Sequence, residues 1–358
     1  MKPVITILFL LLANTVFAQL WPKEGATLHY RLIGFSVPSG GTGTTYKLEV
    51  FEEGNPKPVL TQINASNRII ATVPAFGKNY RWKVSYLKNG SVAKSITHKF
   101  STLRNPHTDS PKARVVIVDS AKGYHDLMVF FDNTRTLYNT HGEELWFLPV
   151  IKGITDSSAV MIRDMKLSTH NTITFITQKN IYEIDYNANI LWQGPIDMPV
   201  NGYPVSQYHH ELTRLSNGNY MTLANLKILT PSANGDTSQQ TRMCGTVIEY
   251  TPKNKIVWTW NSCDYLGDDD ATTHLNCFHF DEKNKMVYTG YRNISHVIKA
   301  AYPSGNVVAR YGSDYMRDGK VTGKNMFYSQ HDCGMNSDGD LIMFNNNFNM
   351  DYGWQKPN

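Results

Sequence analysis

The chain has 358 residues, enough for two domains. Lys and Arg number 35 against 30 Asp and Glu, a formal charge of +5; this is too small and too scattered for a nucleic-acid surface, and it suits small anionic ligands. With 18% charged and 12% aromatic residues, the composition is that of a packed globular protein and excludes a disordered one.

Residues 1–18 read as a cleaved export signal. Lys2 is the charged start, Val4 to Ala13 the apolar run, and Val16-Phe17-Ala18 the small-residue cleavage pattern. The run is shorter than the roughly 20 residues that a membrane span needs. No later stretch is long enough, so a periplasmic or secreted protein without a membrane span is expected. Residues 19–102 read as a small β-sandwich of the immunoglobulin or fibronectin kind. Tyr46, Leu48 and Val50 alternate with polar neighbours, as do Tyr80, Trp82, Val84 and Tyr86, and Lys88-Asn89-Gly90 is a hairpin signal. Residues 103–112, with two prolines and several polar side chains, read as a linker.

Residues 113–358 carry a weak repeat of β-hairpins. Thr136-Leu137-Tyr138 leads to Trp146, Tyr182-Glu183-Ile184 to Trp192, Ile248-Glu249-Tyr250 to Trp258, and Ile298-Lys299-Ala300 to Val308. The spacing is close to the ~40–50 residues of a four-stranded propeller blade. One interval is lengthened by a polar insertion, Pro231 to Gln240. No convincing amphipathic helix separates the hairpins, so the predicted fold is all-β: a sandwich followed by a β-propeller. A pair of irregular sandwiches is the alternative. In the third hairpin, a turn centred on Lys253-Asn254 sets Cys244 opposite Cys263, close enough for a disulfide. Cys277 and Cys333 have no such argument.

A second repeat element precedes these hairpins. His210-Glu211 is followed by a turn at Asn217-Gly218-Asn219 and an apolar Leu223; His331-Asp332 is followed by Asp338-Gly339-Asp340 and Phe344. His274-Leu275-Asn276 opens a looser third copy. Equivalent positions of a propeller are related by rotation about its axis, so histidines at one repeat position converge on the central channel. The strand after His274 turns near Lys283-Asn284 and returns to Arg292, setting His274 opposite Asn293 and beside Arg292. An imidazole next to a guanidinium is an anion site with planar donors.

Residues 207–344 resemble the bacterial arylsulfotransferase family, which uses no nucleotide sulfate donor. The resemblance rests on His209-His210-Glu211 with Asn217-Gly218-Asn219, His274-Leu275-Asn276, Tyr291-Arg292-Asn293 and Gln330-His331-Asp332. It implies a six-bladed propeller and a nucleophilic His331 that holds a sulfohistidine. His274 and Arg292 would bind the sulfuryl oxygens with Asn276 beside them, and His210 would complete the pocket as proton donor. His209 competes with His210 for that position. The implied partners are an aryl sulfate donor and a phenolic acceptor, with no cofactor and no metal; a homodimer is compatible. After the His331 strand only Asn345 to Asn358 remain, so by the repeat count one to two blades are expected to be missing. Two other classes stay open. One is a metal site on the three histidines, which the Arg292 cation opposes. The other is a non-catalytic propeller binding sulfated glycans or another surface partner.

Overall fold

The computed structural model describes residues 20–108, 127–157, 159–231, 239–312, 326–349 and 353–354. The export-signal reading, most of the polar insertion and part of the linker lie outside the described residues. The chain divides into two compact units. One runs to Val129 and includes Thr136–Leu148; the other comprises Phe130–Arg135 and everything from Pro149.

The first unit is a sandwich. Ala26–Leu28, Ser91–Thr102, Asn79–Lys88, Thr45–Glu52 and Leu60–Asn64 form one sheet in that spatial order, and Leu32–Ser36 pairs Arg68–Thr72 in the other. The alternation read from the sequence is the packing alternation: Tyr46, Leu48, Val50, Tyr80, Trp82, Val84 and Tyr86 are all buried. Lys88 pairs Ser91 across Asn89 and Gly90. Both turn residues are left-handed, with φ of 49° and 79°, as a tight hairpin following the twist of its strands demands. The Thr136–Asn139 and Glu144–Phe147 hairpin packs on this unit through Trp146, which bridges Tyr30.

The second unit is built of antiparallel four-stranded sheets in simple up-and-down order, the blades of a β-propeller. One blade consists of Arg163–Leu167, Ile173–Ile176, Ile181–Ile184 and Ile190–Gln193. The next consists of Val205–Arg214, Tyr220–Pro231, Gln239–Tyr250 and Ile256–Asn261. A third comprises Leu275–Asp281, Met286–Tyr291, His296–Ala301 and Val307–Gly312, and His331–Met335 with Leu341–Phe344 begins another. The ladder reaches both ends of the insertion: Thr230 pairs Gln240 and Pro231 pairs Gln239. The only helices among the described residues longer than a single 3-10 turn are Ser262–Leu266 and Asp270–Thr273. Among the described residues no helix is long and apolar enough to cross a membrane.

The hairpin repeat has a packing reason. Glu183 pairs Trp192 and Glu249 pairs Trp258 across their ladders. Each Glu–Trp pair grips a tyrosine of the following blade. Tyr220 donates its hydroxyl to Glu183 and stacks on Trp192 at a ring separation of 3.5 Å. Tyr302 donates to Glu249 over 2.8 Å and packs against Trp258. A buried carboxylate is tolerated only with such partners. Cys244 and Cys263 lie at bonding distance, with Sγ atoms 1.98 Å apart. Thr246 pairs Asn261, the register that the Lys253-Asn254 turn predicts, and Cys263 is carried past the ladder end by the short helix.

Candidate active site

The first strands of three blades, all but the one that begins with Leu275–Asp281, each carry a basic residue, then a carboxylate, then a kink. Arg163, His210 and His331 each stand eight residues before a left-handed turn residue: Asn171, Gly218 and Gly339. The carboxylates that follow are Asp164, Glu211 and Asp332. In each strand the pairing register slips just there, between Arg163 and Lys166, His209 and Leu212, and His331 and Gly334. Such a bulge re-aims the side chain beside it. His210 itself takes φ of 58°. Its ring lies 5.5 Å from that of His274 and 6.2 Å from that of His331.

His210 is thus the histidine that meets the other two. His209 sits behind it, buried at 5% exposure, with the two Nδ1 atoms 2.7 Å apart in a hydrogen bond. His274 does not share the strand position of the other two. It caps the short Asp270–Thr273 helix with φ of 53° and reaches the cluster from that cap. Asp270 accepts from the Leu275 N–H over 2.9 Å and lies 3.9 Å from His274 Nδ1. The predicted register is off by one: a bulge between Leu275 and Cys277 lets the Arg292 N–H donate to the His274 carbonyl, 3.0 Å.

His331 is held at Nδ1 by the Asn346 side-chain amide, 2.9 Å. The atom that faces the ring is Asn346 Nδ2, and an amide N–H only donates, so Nδ1 accepts in this arrangement. Gln330 is fully buried and donates to the carbonyls of Tyr291 and His296, at 3.1 and 2.7 Å. Asn276, 3% exposed, donates to the Gln330 carbonyl over 2.8 Å. A cavity of about 660 Å³ opens onto this group and is lined by His210, His331, Asn276, Arg163, Asp332 and Lys166, among others.

All four imidazoles are held in the neutral form. Burial is the largest cause for each. His210 is pushed down to about 3 by burial and then by His209, His274, His331 and Arg163. The Arg292 charge further lowers His274 and His331, while Asp270 acts to raise His274. Beneath the cluster, Lys166 bridges Asp164 at 3.0 Å and Glu211 at 3.3 Å. Burial and the Glu211 charge lift Asp164 to about 7 against the pull of Lys166. These carboxylates also clasp neighbouring strands. Asp132 accepts from the Asp164 and Met165 N–H groups, Asp164 from that of Leu212, and Glu211 from that of Phe278.

Arg163 escapes a search for histidines. The signal for it is present: Arg163-Asp164, the turn at Asn171 and apolar Ile176 repeat the spacing of His210 and His331.

The profile of the arylsulfotransferase (ASST) family matches residues 108–356. The chain belongs to the arylsulfotransferase family. It is therefore of a sulfotransferase kind, and the propeller that carries the histidine cluster is the part that matches. No curated protein matches the chain. Solved structures resemble it loosely. A protein of unknown function from Bacteroides caccae is 15% identical, with 58% of this chain and 60% of that chain covered and a TM-score of 0.35. The Cps50 (Swd1) β-propeller domain of Myceliophteria thermophila is 12% identical, with 78% and 80% covered and a TM-score of 0.32. Kuenenia stuttgartiensis hydrazine synthase is 12% identical, with 93% and 98% covered and a TM-score of 0.38. Likenesses this distant carry no argument about the activity of an arylsulfotransferase.

Proposed function

We propose that this chain moves a sulfuryl group from an aryl sulfate to a phenol through a sulfohistidine on His331. The observation that supports it most is the meeting of three neutral imidazoles: the His210 ring lies near those of His274 and His331, His210 and His331 line one cavity, and the Arg292 charge acts on His274 and His331. A neutral imidazole is a nucleophile, and a fixed cation beside it stabilises the charge that develops on the sulfuryl oxygens.

In the first half, the free nitrogen lone pair of His331 attacks sulfur and the sulfur–aryl oxygen bond breaks. Attack from Nε2 requires Nδ1 to carry the proton, and therefore the Asn346 amide to turn its oxygen, in place of Nδ2, toward the ring. The leaving group departs as phenolate and takes up a proton from water, since a phenol with a pKa near 10 is protonated near neutral pH. In the second half, the acceptor oxygen attacks the same sulfur, the nitrogen–sulfur bond breaks and the acceptor proton passes to a base. His274 suits the proton relay: burial lowers it, so it is free to accept a proton, and Asp270 acts against that shift in favour of the cation it becomes. His210, pushed down to about 3 by burial and its neighbours, completes the pocket as a neutral hydrogen-bond donor. Arg292 and Asn276 bind and orient the transferring group. An exported, periplasmic or secreted location fits the leader-like N-terminus.

Incubation with an aryl sulfate and no acceptor tests this reading. One sulfuryl group should appear on His331, labile in acid, and His331→Ala should lose both the adduct and turnover. Label on His210 or His274, or appreciable turnover by His331→Ala, overturns the assignment.

A further inference from the structure

Cys277 and Cys333 come from the inner strands of two successive blades. Their Sγ atoms are 3.0 Å apart, and the Cys333 N–H donates to the Cys277 sulfur over 3.2 Å. Both residues are buried, at 2% and 3% exposure. The space they share is kept clear by Gly290, which pairs Cys277 in the ladder. A Cβ on Gly290 would stand 2.3 Å from the Cys277 sulfur and 3.7 Å from that of Cys333. A disulfide has its sulfurs ~2.05 Å apart, so about 1 Å of approach separates this pair from a bond. The hydrogen bond with the Cys277 thiol, and then burial, raise Cys333, which makes it a poor nucleophile in the folded chain.

We propose that Cys277 and Cys333 form a second disulfide, an inter-blade bond directly behind the histidine cluster. The oxidant is a small-molecule disulfide. A thiolate of the folding chain attacks it, releasing one thiol and forming a mixed disulfide. The second cysteine then displaces the other half. Two protein thiols are oxidised, the external disulfide is reduced to two thiols, and the two protons leave with them. The bond forms while the strands are still open to solvent. Cys277 follows Asn276 and Cys333 stands two residues beyond His331, so the bond fixes the His331 strand against the Asn276 strand. That consequence for catalysis rests on the proposed function; the bond itself does not.

The test refolds the reduced full chain in oxidised and reduced glutathione, alkylates it in denaturant and maps its peptides. A linked 277–333 peptide beside the linked 244–263 peptide is expected. Alkylated or glutathione-capped Cys277 and Cys333 in a chain whose 244–263 bond has formed overturn the proposal. So does a natively folded chain with all four thiols alkylated. A second measurement uses Cys277→Ser/Cys333→Ser. Reductant strong enough to open buried bonds should lower Tm further in the parent than in this variant; an equal fall in both overturns the proposal.

Discussion

The side-chain amide of Asn276 is bonded to the backbone carbonyl of Gln330, the residue immediately before His331. One residue of the third blade thereby sets the height of the strand that carries the candidate nucleophile. Asn276→Ala leaves a buried carbonyl unpaired, which costs about 1–3 kcal/mol. We expect a loss of that size in urea unfolding, and a fall of roughly tenfold in kcat that exceeds any change in KM. Unchanged stability would mean that the bond is not made in solution.

Because His331 is depressed below the ordinary 6.5, it stays neutral through neutral pH. The acid limb of kcat/KM for adduct formation should therefore fall below pH 6.5. Stopped-flow release of a chromogenic phenol across pH 4–8 reads it out, and a limb above 7 would exclude a neutral His331 as the group that titrates.

Folding stability should also carry the mark of His210. Its folded pKa, about 3, lies below the unfolded value of 6.5, so the unfolded chain binds more protons between those values. The stability that His210 allows at neutral pH is lost as pH falls through that window, by at most about 1.4 kcal/mol per unit. Asp164, raised to about 7, works in the opposite direction on acidification. The readout is consequently a difference: His210→Asn, which tolerates a positive φ, should gain on the parent steadily below pH 6.5. A constant gap between the two would sink this assignment.

Arg163 lines the cavity that His210 and His331 share and adds to the charge felt by His210. We expect Arg163→Ala to raise KM for an aryl sulfate roughly tenfold, the loss of one charge-assisted hydrogen bond. Arg163→Lys should recover part of it. Steady-state kinetics with no change in KM would leave Arg163 outside the binding surface.

Glu211 accepts from Lys166 and from the Phe278 N–H. Glu211→Ala leaves Lys166 with Asp164 as its one carboxylate and leaves the Phe278 N–H unpaired, which should cost about 1–3 kcal/mol. Glu211→Gln keeps an acceptor and should cost less. Chemical unfolding in which both variants match the parent would show the contact to be unimportant.

Much of this was legible before folding. Tyr46, Leu48 and Val50 announce their strand by alternation, and Trp192 and Trp258 recur because each must stand beside a glutamate that the next blade's tyrosine satisfies. Cys263 could be set opposite Cys244 because a short turn fixes a ladder's register. Other features depend on what local pattern does not encode. The bulge at Leu275 and Cys277 shifts Arg292 by one place against His274, and a two-period alternation gives no warning of it. Arg163 was hidden by residue type, although its spacing was intact. Whether His209 or His210 faces the cluster turns on a single left-handed φ. The approach of Cys277 to Cys333 needs two blades side by side.

Asp132, Asp164 and Glu211 each hold a backbone N–H of a strand that follows later in the chain, 32, 48 and 67 residues on. Desolvating each carboxylate gains nothing until that later strand arrives. A chain emerging from its N-terminus would therefore close these clasps in the order of synthesis, each finished blade presenting the template for its successor. The propeller is in this sense assembled with a direction, and a lesion in an early inner strand should delay every blade after it, while one in a late strand leaves its predecessors free to form.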